Sequence, residues 1–176
     1  MKLSLTRLLV TVIAAVALAA PAHAGPASPE VPDKLVPPAG NKVFLAAHAV
    51  GVQIYRCDPA GTWTLVAPRA NLYADNGKLI GTHSAGPTWQ ATDGSYVTAS
   101  KVDEANLDPT AINWLLLKMK TSGAGADGDR LKGTTFIQRV ATTGGRAPAA
   151  VECDVLGEIA EIPYTADYYF WKAIEA

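Results

Sequence analysis

The sequence predicts an all-β fold, a single-domain sandwich or barrel of short antiparallel strands with at most one or two short helices. Two observations carry that expectation. Short runs rich in Val, Ile, Thr, Tyr and Trp recur from Lys42 to Trp171, and clusters of Gly, Pro, Asp and Asn separate them. The one stretch with helical spacing, 108–120, also reads as a strand buried on both faces. No internal repeat and no second domain are visible.

The first 24 residues are expected to lie outside that fold. Lys2 and Arg7 give a positive start, Leu8 to Ala20 is apolar, and Ala22-His23-Ala24 is a small-x-small cleavage site. This is the pattern of a secretory signal peptide, too short for a comfortable membrane span. The expected location is secreted or periplasmic, with no membrane span after signal cleavage. Residues 25–40 hold Pro26, Pro29, Pro32, Pro37 and Pro38 and read as an extended proline-rich arm rather than part of the core. Residues 41–176 are left as the single β-rich domain. The whole chain has 15 basic and 16 acidic residues. Losing Lys2 and Arg7 makes the balance more acidic, and no basic patch remains to meet nucleic acid or an anionic membrane.

Val43–Ala47 and Val50–Cys57 read as the first two strands. In the second, Val50, Val52 and Ile54 fall on one face and Gln53, Tyr55 and Cys57 on the other. After a turn at Pro59-Ala60-Gly61 come Trp63–Val66, Lys78–Thr82, Thr88–Ala91 and Tyr96–Lys101. Over 108–120, Asp108 and Pro109 suit a helix start, and Ile112, Leu115, Leu116 and Met119 have helical spacing. The continuous apolar run Trp114–Met119 favours a strand instead, paired with Thr134–Ala141 across the glycine-rich 123–128. Glu161–Trp171 alternates Tyr164, Ala166, Tyr168 and Phe170 against Thr165, Asp167, Tyr169 and Trp171. It reads as a closing strand.

Cys57 and Cys153 are the two cysteines. In an exported chain a single disulfide is the simplest expectation. It would close a loop of about a hundred residues, worth roughly 4–5 kcal/mol in the chain-entropy model. A cysteine-based metal or nucleophile site lacks partners at a suitable spacing.

The stretch 77–95 concentrates the candidate site residues. His83, Trp89 and Asp93 sit on two closely spaced turns, Gly86-Pro87 and Asp93-Gly94. Asp93 would orient the His83 imidazole as a general base. Alternatively His83 braces the Gly86-Pro87 turn through a backbone hydrogen bond. Ser84 beside His83 points to the opposite face of a strand and makes a poor nucleophile partner. His48 and His83 have no metal-ligand spacing, so no metal is expected. Gln138 and Arg139 interrupt an apolar strand and point to opposite faces. A buried Arg139 would call for Asp93, Glu152 or Asp167 as its carboxylate. Trp63, Trp89, Trp114 and Trp171 would suit sugar stacking if exposed, and core packing otherwise. Gly123 to Gly128 formally matches G-x-G-x-x-G, yet a strand rather than a helix follows it, so neither a nicotinamide nor any other cofactor is expected.

Taken in order, GVQIYRC (51–57), GTHSAGPTW (81–89), DGS (93–95), WLLLK (114–118), IQRVATTGG (137–145) and PYTADYYF (163–170) resemble a family of exported bacterial and fungal proteins classed as a domain of unknown function. Some fungal members carry the label malate dehydrogenase, for which the glycine-rich turn gives no support. The family usually has Pro before the Trp of the WLLL run, where this chain has Asn113. The resemblance implies export and a single domain, and supplies no catalytic residues. The preferred functional class is a non-enzymatic binding or envelope-associated module with a shallow site near His83, Trp89 and Asp93, taking a small molecule or a glycan. The alternatives are a small secreted hydrolase using His83 as general base and a structural stress protein of the cell surface.

Overall fold

The structure, a computed structural model, describes residues 25–175. The signal-peptide reading of 1–24 lies outside the described residues. The chain forms eight strands: β1 Asn41–Cys57, β2 Trp63–Tyr73, β3 Leu79–Ser84, β4 Thr88–Ala91, β5 Tyr96–Ala105, β6 Trp114–Gly123, β7 Thr134–Gly144 and β8 Ile159–Ala173. Each is antiparallel to the next, and β8 returns to pair with β1, so the sheet closes as an up-and-down barrel. Among the described residues, helix is limited to two short 3₁₀ turns, Asp33–Leu35 and Ala150–Glu152.

The fold is therefore all-β, and a barrel rather than a sandwich. Not all its strands are short. The two segments expected at 43–47 and 50–57 are one 17-residue strand, which pairs with β8 along most of its length and with β2 over its second half. A bulge between Val43 and Leu45 lets it bend without breaking. β2 likewise runs on through Pro68, which sits where β2 has β1 as its sole strand neighbour. A missing N–H is tolerated at such an edge. The 114–123 segment is a strand covered on both faces over Trp114–Leu117, as the apolar run implies, and solvent-exposed at Lys118, Lys120 and Thr121. Leu117 belongs to the barrel interior, and Leu116 packs outside it.

The interior follows the period-2 alternation. In β8, Tyr164, Ala166, Tyr168 and Phe170 turn inward and are buried, with Thr165, Asp167 and Tyr169 less so. They meet Trp89, Val97, Leu72, Ile137 and Leu117 in one continuous core.

Each end of the barrel is closed differently. At the upper end the Cys57–Cys153 disulfide ties β1 to the long β7–β8 loop, with Tyr55 and Trp63 packed beside it. The Tyr55 hydroxyl donates to Gly145 O at 2.7 Å. At the lower end the β4–β5 turn meets the glycine-rich β6–β7 loop. A Cβ on Gly125 would fall 2.1 Å from Asp93 O and one on Gly128 2.6 Å from Asp93 Oδ2. Those glycines serve close approach of two loops, not phosphate binding. Leu131 of the same loop plugs the core and donates its N–H to Ser95 Oγ at 3.0 Å.

The proline-rich segment carries one anchor that its composition did not announce. Leu35 is fully buried against Ala105 and Leu116 on the outside of the barrel, and its carbonyl accepts from Gln138 Nε2 at 2.7 Å.

Two stability outcomes follow. Peptide mapping without reduction links Cys57 to Cys153, and the Cys57→Ser, Cys153→Ser pair lowers unfolding free energy by about 4 kcal/mol. Leu35→Ala costs about 2–4 kcal/mol in denaturant unfolding, far more than truncation of a solvated arm residue would.

Candidate functional site

β3 and β4 are too short to cover their neighbours. β2 pairs with β3 only from Ala70 to Tyr73, and β5 pairs with β4 only from Tyr96 to Thr98. Trp63–Arg69 on one side and Ala99–Ala105 on the other therefore extend past the β3–β4 hairpin. The wall has a notch there, with the Gly86-Pro87 turn as its sill. Gly86 takes a φ of +113° in that turn, a region open to glycine.

The notch leads into a cavity of about 280 Å³ inside the barrel. Its mouth is formed by Leu65–Pro68, Pro87 and Lys101. Its inner wall is built from Gln53, His83, Trp89, Leu115, Leu117, Arg139 and Tyr168, drawn from six strands. The site is a half-open, largely apolar pocket that reaches into the barrel and takes in His83 and Trp89 but not Asp93.

His83 is 4 % exposed and stacks on Trp89, ring centroids 4.3 Å apart and planes 11° from parallel. Tyr168 meets both rings edge-on, at 5.1 and 5.5 Å. His83 Nδ1 lies 2.9 Å from Thr88 O. A carbonyl only accepts, so Nδ1 carries the proton and Nε2 is left as an acceptor. His83 thereby braces the turn and lines the cavity at once. Burial holds its pKa down at about 3, with Arg139 also disfavouring a second positive charge.

Two buried donors at this cavity have no hydrogen-bond partner among the described residues: Gln53 Nε2 and Trp89 Nε1. Such groups cost about 1–3 kcal/mol each when left unmet, and both residues form the same chamber wall.

Arg139 turns inward and Gln138 outward, as strand alternation requires. Arg139 finds none of the carboxylates proposed for it. Its Nε and Nη2 donate to Asn113 O at 3.0 and 2.7 Å. Asp167 instead pairs with His48 on the outer wall at 2.8 Å, and Glu152 accepts from Ala149 N. Gln138 is sealed under the N-terminal segment, where its Oε1 accepts from Trp171 Nε1 at 2.9 Å. It does not reach the cavity.

Asp93 stands apart from His83 and Trp89. It lies at the lower end of the barrel, where its carboxylate accepts from Ser95 Oγ at 2.6 Å and from the Ser95 and Arg130 N–H groups at 3.0 Å. Chiefly the Ser95 hydroxyl, then the Arg130 N–H, hold its pKa down at about 2. It staples the two lower loops together and does not orient the imidazole. Ser84 is exposed on the outer face beside the inward His83. Among the described residues no three His, Cys, Asp or Glu side chains converge as metal ligands would.

Gln53 and Tyr168 are the site residues that motif reading passed over. The signal for Gln53 lies in its alternation with Tyr55 and Cys57, which puts a polar amide on the same face as two core residues.

The sign of the His83 shift makes a testable statement. The folded imidazole stays neutral down to about pH 3, whereas an unfolded one protonates near 6.5. The stability it contributes is complete above about pH 6.5 and is lost as pH falls toward 3, at up to about 1.4 kcal/mol per unit. Denaturant unfolding of the native chain against His83→Gln should show their difference shift by about 2–3 kcal/mol in favour of the variant between pH 7 and 4.5. His83→Ala at pH 7 costs about 1–3 kcal/mol, because Thr88 O loses its donor.

Comparison with known proteins returns one family, described as "Protein of unknown function (DUF3455)", matched over residues 38–172. No curated protein and no solved structure matches the chain. The match takes in all eight strands but the last residue of β8, and the chain belongs to that family of proteins of unknown function.

Proposed function

We propose that the protein is an exported, non-enzymatic binding module that holds one small molecule in the barrel cavity. The observation that carries this reading is the pair of unpartnered buried donors, Gln53 Nε2 and Trp89 Nε1, at one apolar chamber with its own opening. Eight strands is the barrel size that leaves room for side chains or for one small ligand. Export accords with the Cys57–Cys153 disulfide. No helix among the described residues is long and apolar enough to cross a membrane.

The hydrolase alternative finds less support. An imidazole with a pKa near 3 is a weak base at neutral pH, and Thr88 O rather than a carboxylate holds its Nδ1. The cavity wall contains no Ser, Thr or Cys. A glycan is disfavoured too, because His83 covers one face of the Trp89 ring and the lining is mainly apolar.

The neutral probe 4-phenylbutanol tests occupancy of the cavity. Calorimetry should give saturable one-to-one binding, and Leu117→Trp should abolish it while far-UV circular dichroism stays unchanged. If neither this alcohol nor its acid and amide counterparts bind, the binding reading is retired. Hydrolysis of a p-nitrophenyl ester that both His83→Gln and Leu117→Trp remove would favour the enzyme instead.

A further inference from the structure

We propose that the ligand is a small monocarboxylic acid with an apolar body, its carboxylate held by Arg139 in a fork. The inference rests on the binding reading above and adds the chemical class.

A guanidinium has five N–H donors in a rigid fork. Nε and one hydrogen of Nη2 are spent on Asn113 O, a two-point contact that fixes the plane of the group. The Tyr168 hydroxyl engages one of the remaining N–H groups, and those left over on the Nη1–Nη2 side can meet the oxygens of a carboxylate.

The charge of Arg139 is unmatched at close range. Among the described residues no Asp or Glu oxygen lies within salt-bridge distance of it; the ion pairs present are Lys34–Asp103, His48–Asp167, Arg69–Glu161 and Lys101–Glu104. Glu104 feels its field, yet Oε1 is taken by Lys101 Nζ at 2.9 Å and Oε2 by Asn113 Nδ2 at 3.1 Å. Arg146 lines the neighbouring cleft together with Arg139 and adds positive charge on that side. A half-buried cation so placed is costly unless something supplies the opposite charge.

The hydrogen-bond inventory points the same way. Gln53 Nε2 and Trp89 Nε1 are sealed in the chamber wall without acceptors, and Arg139 is the wall residue with donors to spare. An ionised carboxylate only accepts, and so satisfies donors without adding any. Leu115, Leu117 and the Leu65–Pro68 rim leave an apolar space for the rest of the molecule. At about 280 Å³, the cavity is roughly twice the ~150 Å³ that holds one benzene ring. An acid with a short aromatic or branched aliphatic body fits that space.

Calorimetric titration of the mature chain with 4-phenylbutanoate, 4-phenylbutanamide and 4-phenylbutanol at pH 7 tests the class. The acid should bind at least about tenfold more tightly than the amide. Arg139→Met should erase that preference and leave amide affinity within about twofold. Should Arg139→Met fail to fold, Arg139→Lys decides: it keeps the charge but loses the fork, and should cut the preference severalfold. Equal affinities for acid and amide, or an acid preference untouched by either Arg139 variant, overturn this inference and leave the binding reading standing. Failure of all three probes removes both.

Discussion

Pairing of β1 with β8 is the interaction on which the rest of the molecule depends. Once the last strand hydrogen-bonds to the first, the sheet has an inside, and the inward side chains of all eight strands must share it. Closure also explains the 17-residue length of β1, since that strand serves two neighbours along a tilted wall. The disulfide, the Tyr55–Gly145 bond and the Asp93 staple each finish an end of a cylinder that this pairing creates.

Given a closed barrel, alternation decides which residues become chemically interesting. Gly51 and Gly81 let neighbouring strands approach closely, since a Cβ there would fall 2.2 Å from Arg69 O and 2.5 Å from Gln90 O, but the inward positions are not all apolar. Gln53, His83 and Arg139 face inside together with Tyr164 and Tyr168, whose hydroxyls burial pushes above their ordinary titration range and keeps protonated. A core optimised for stability alone would place leucine or valine at such positions. Here apolar residues go to the outside instead: Val50, Leu65 and Val66 are each about half exposed. Polar groups placed inward in this way cost stability.

Much of the fold was legible because alternation and turn chemistry are local. The strand at 88–91, the reading of 114–119 as a strand and the inward set of β8 needed no tertiary information. The Cys57–Cys153 pairing followed from arithmetic. Sandwich versus barrel was not legible, since it depends on whether β8 meets β1 far away in sequence. The same limit explains the candidate site. His83 and Trp89 face each other because they are a register pair of β3 and β4, a local fact. Asp93, only four residues past Trp89, sits at the opposite end of the barrel, because β4 carries the chain away from the sill before the turn. Gln138 was singled out for being polar in an apolar strand, and its reason proved to be Leu35, 103 residues distant.

The shortness of β3 and β4 has a kinetic consequence. In a barrel with complete walls, a molecule enters the lumen only when strands part or an end loop swings away, so exchange is limited by the breaking of ladder hydrogen bonds or disulfide-anchored contacts. Here the doorway is framed by two strand segments that, apart from the Ala99 N–H to Pro87 O bond at 3.3 Å, have no strand partner on that side to lose. The side chains at its rim, Leu65, Val66 and Lys101, are exposed, and exposed rotamers turn over within nanoseconds. Residence time in such a lumen is set by the contacts made inside, and a stiffer, more stable barrel would exchange its contents no more slowly than a softer one.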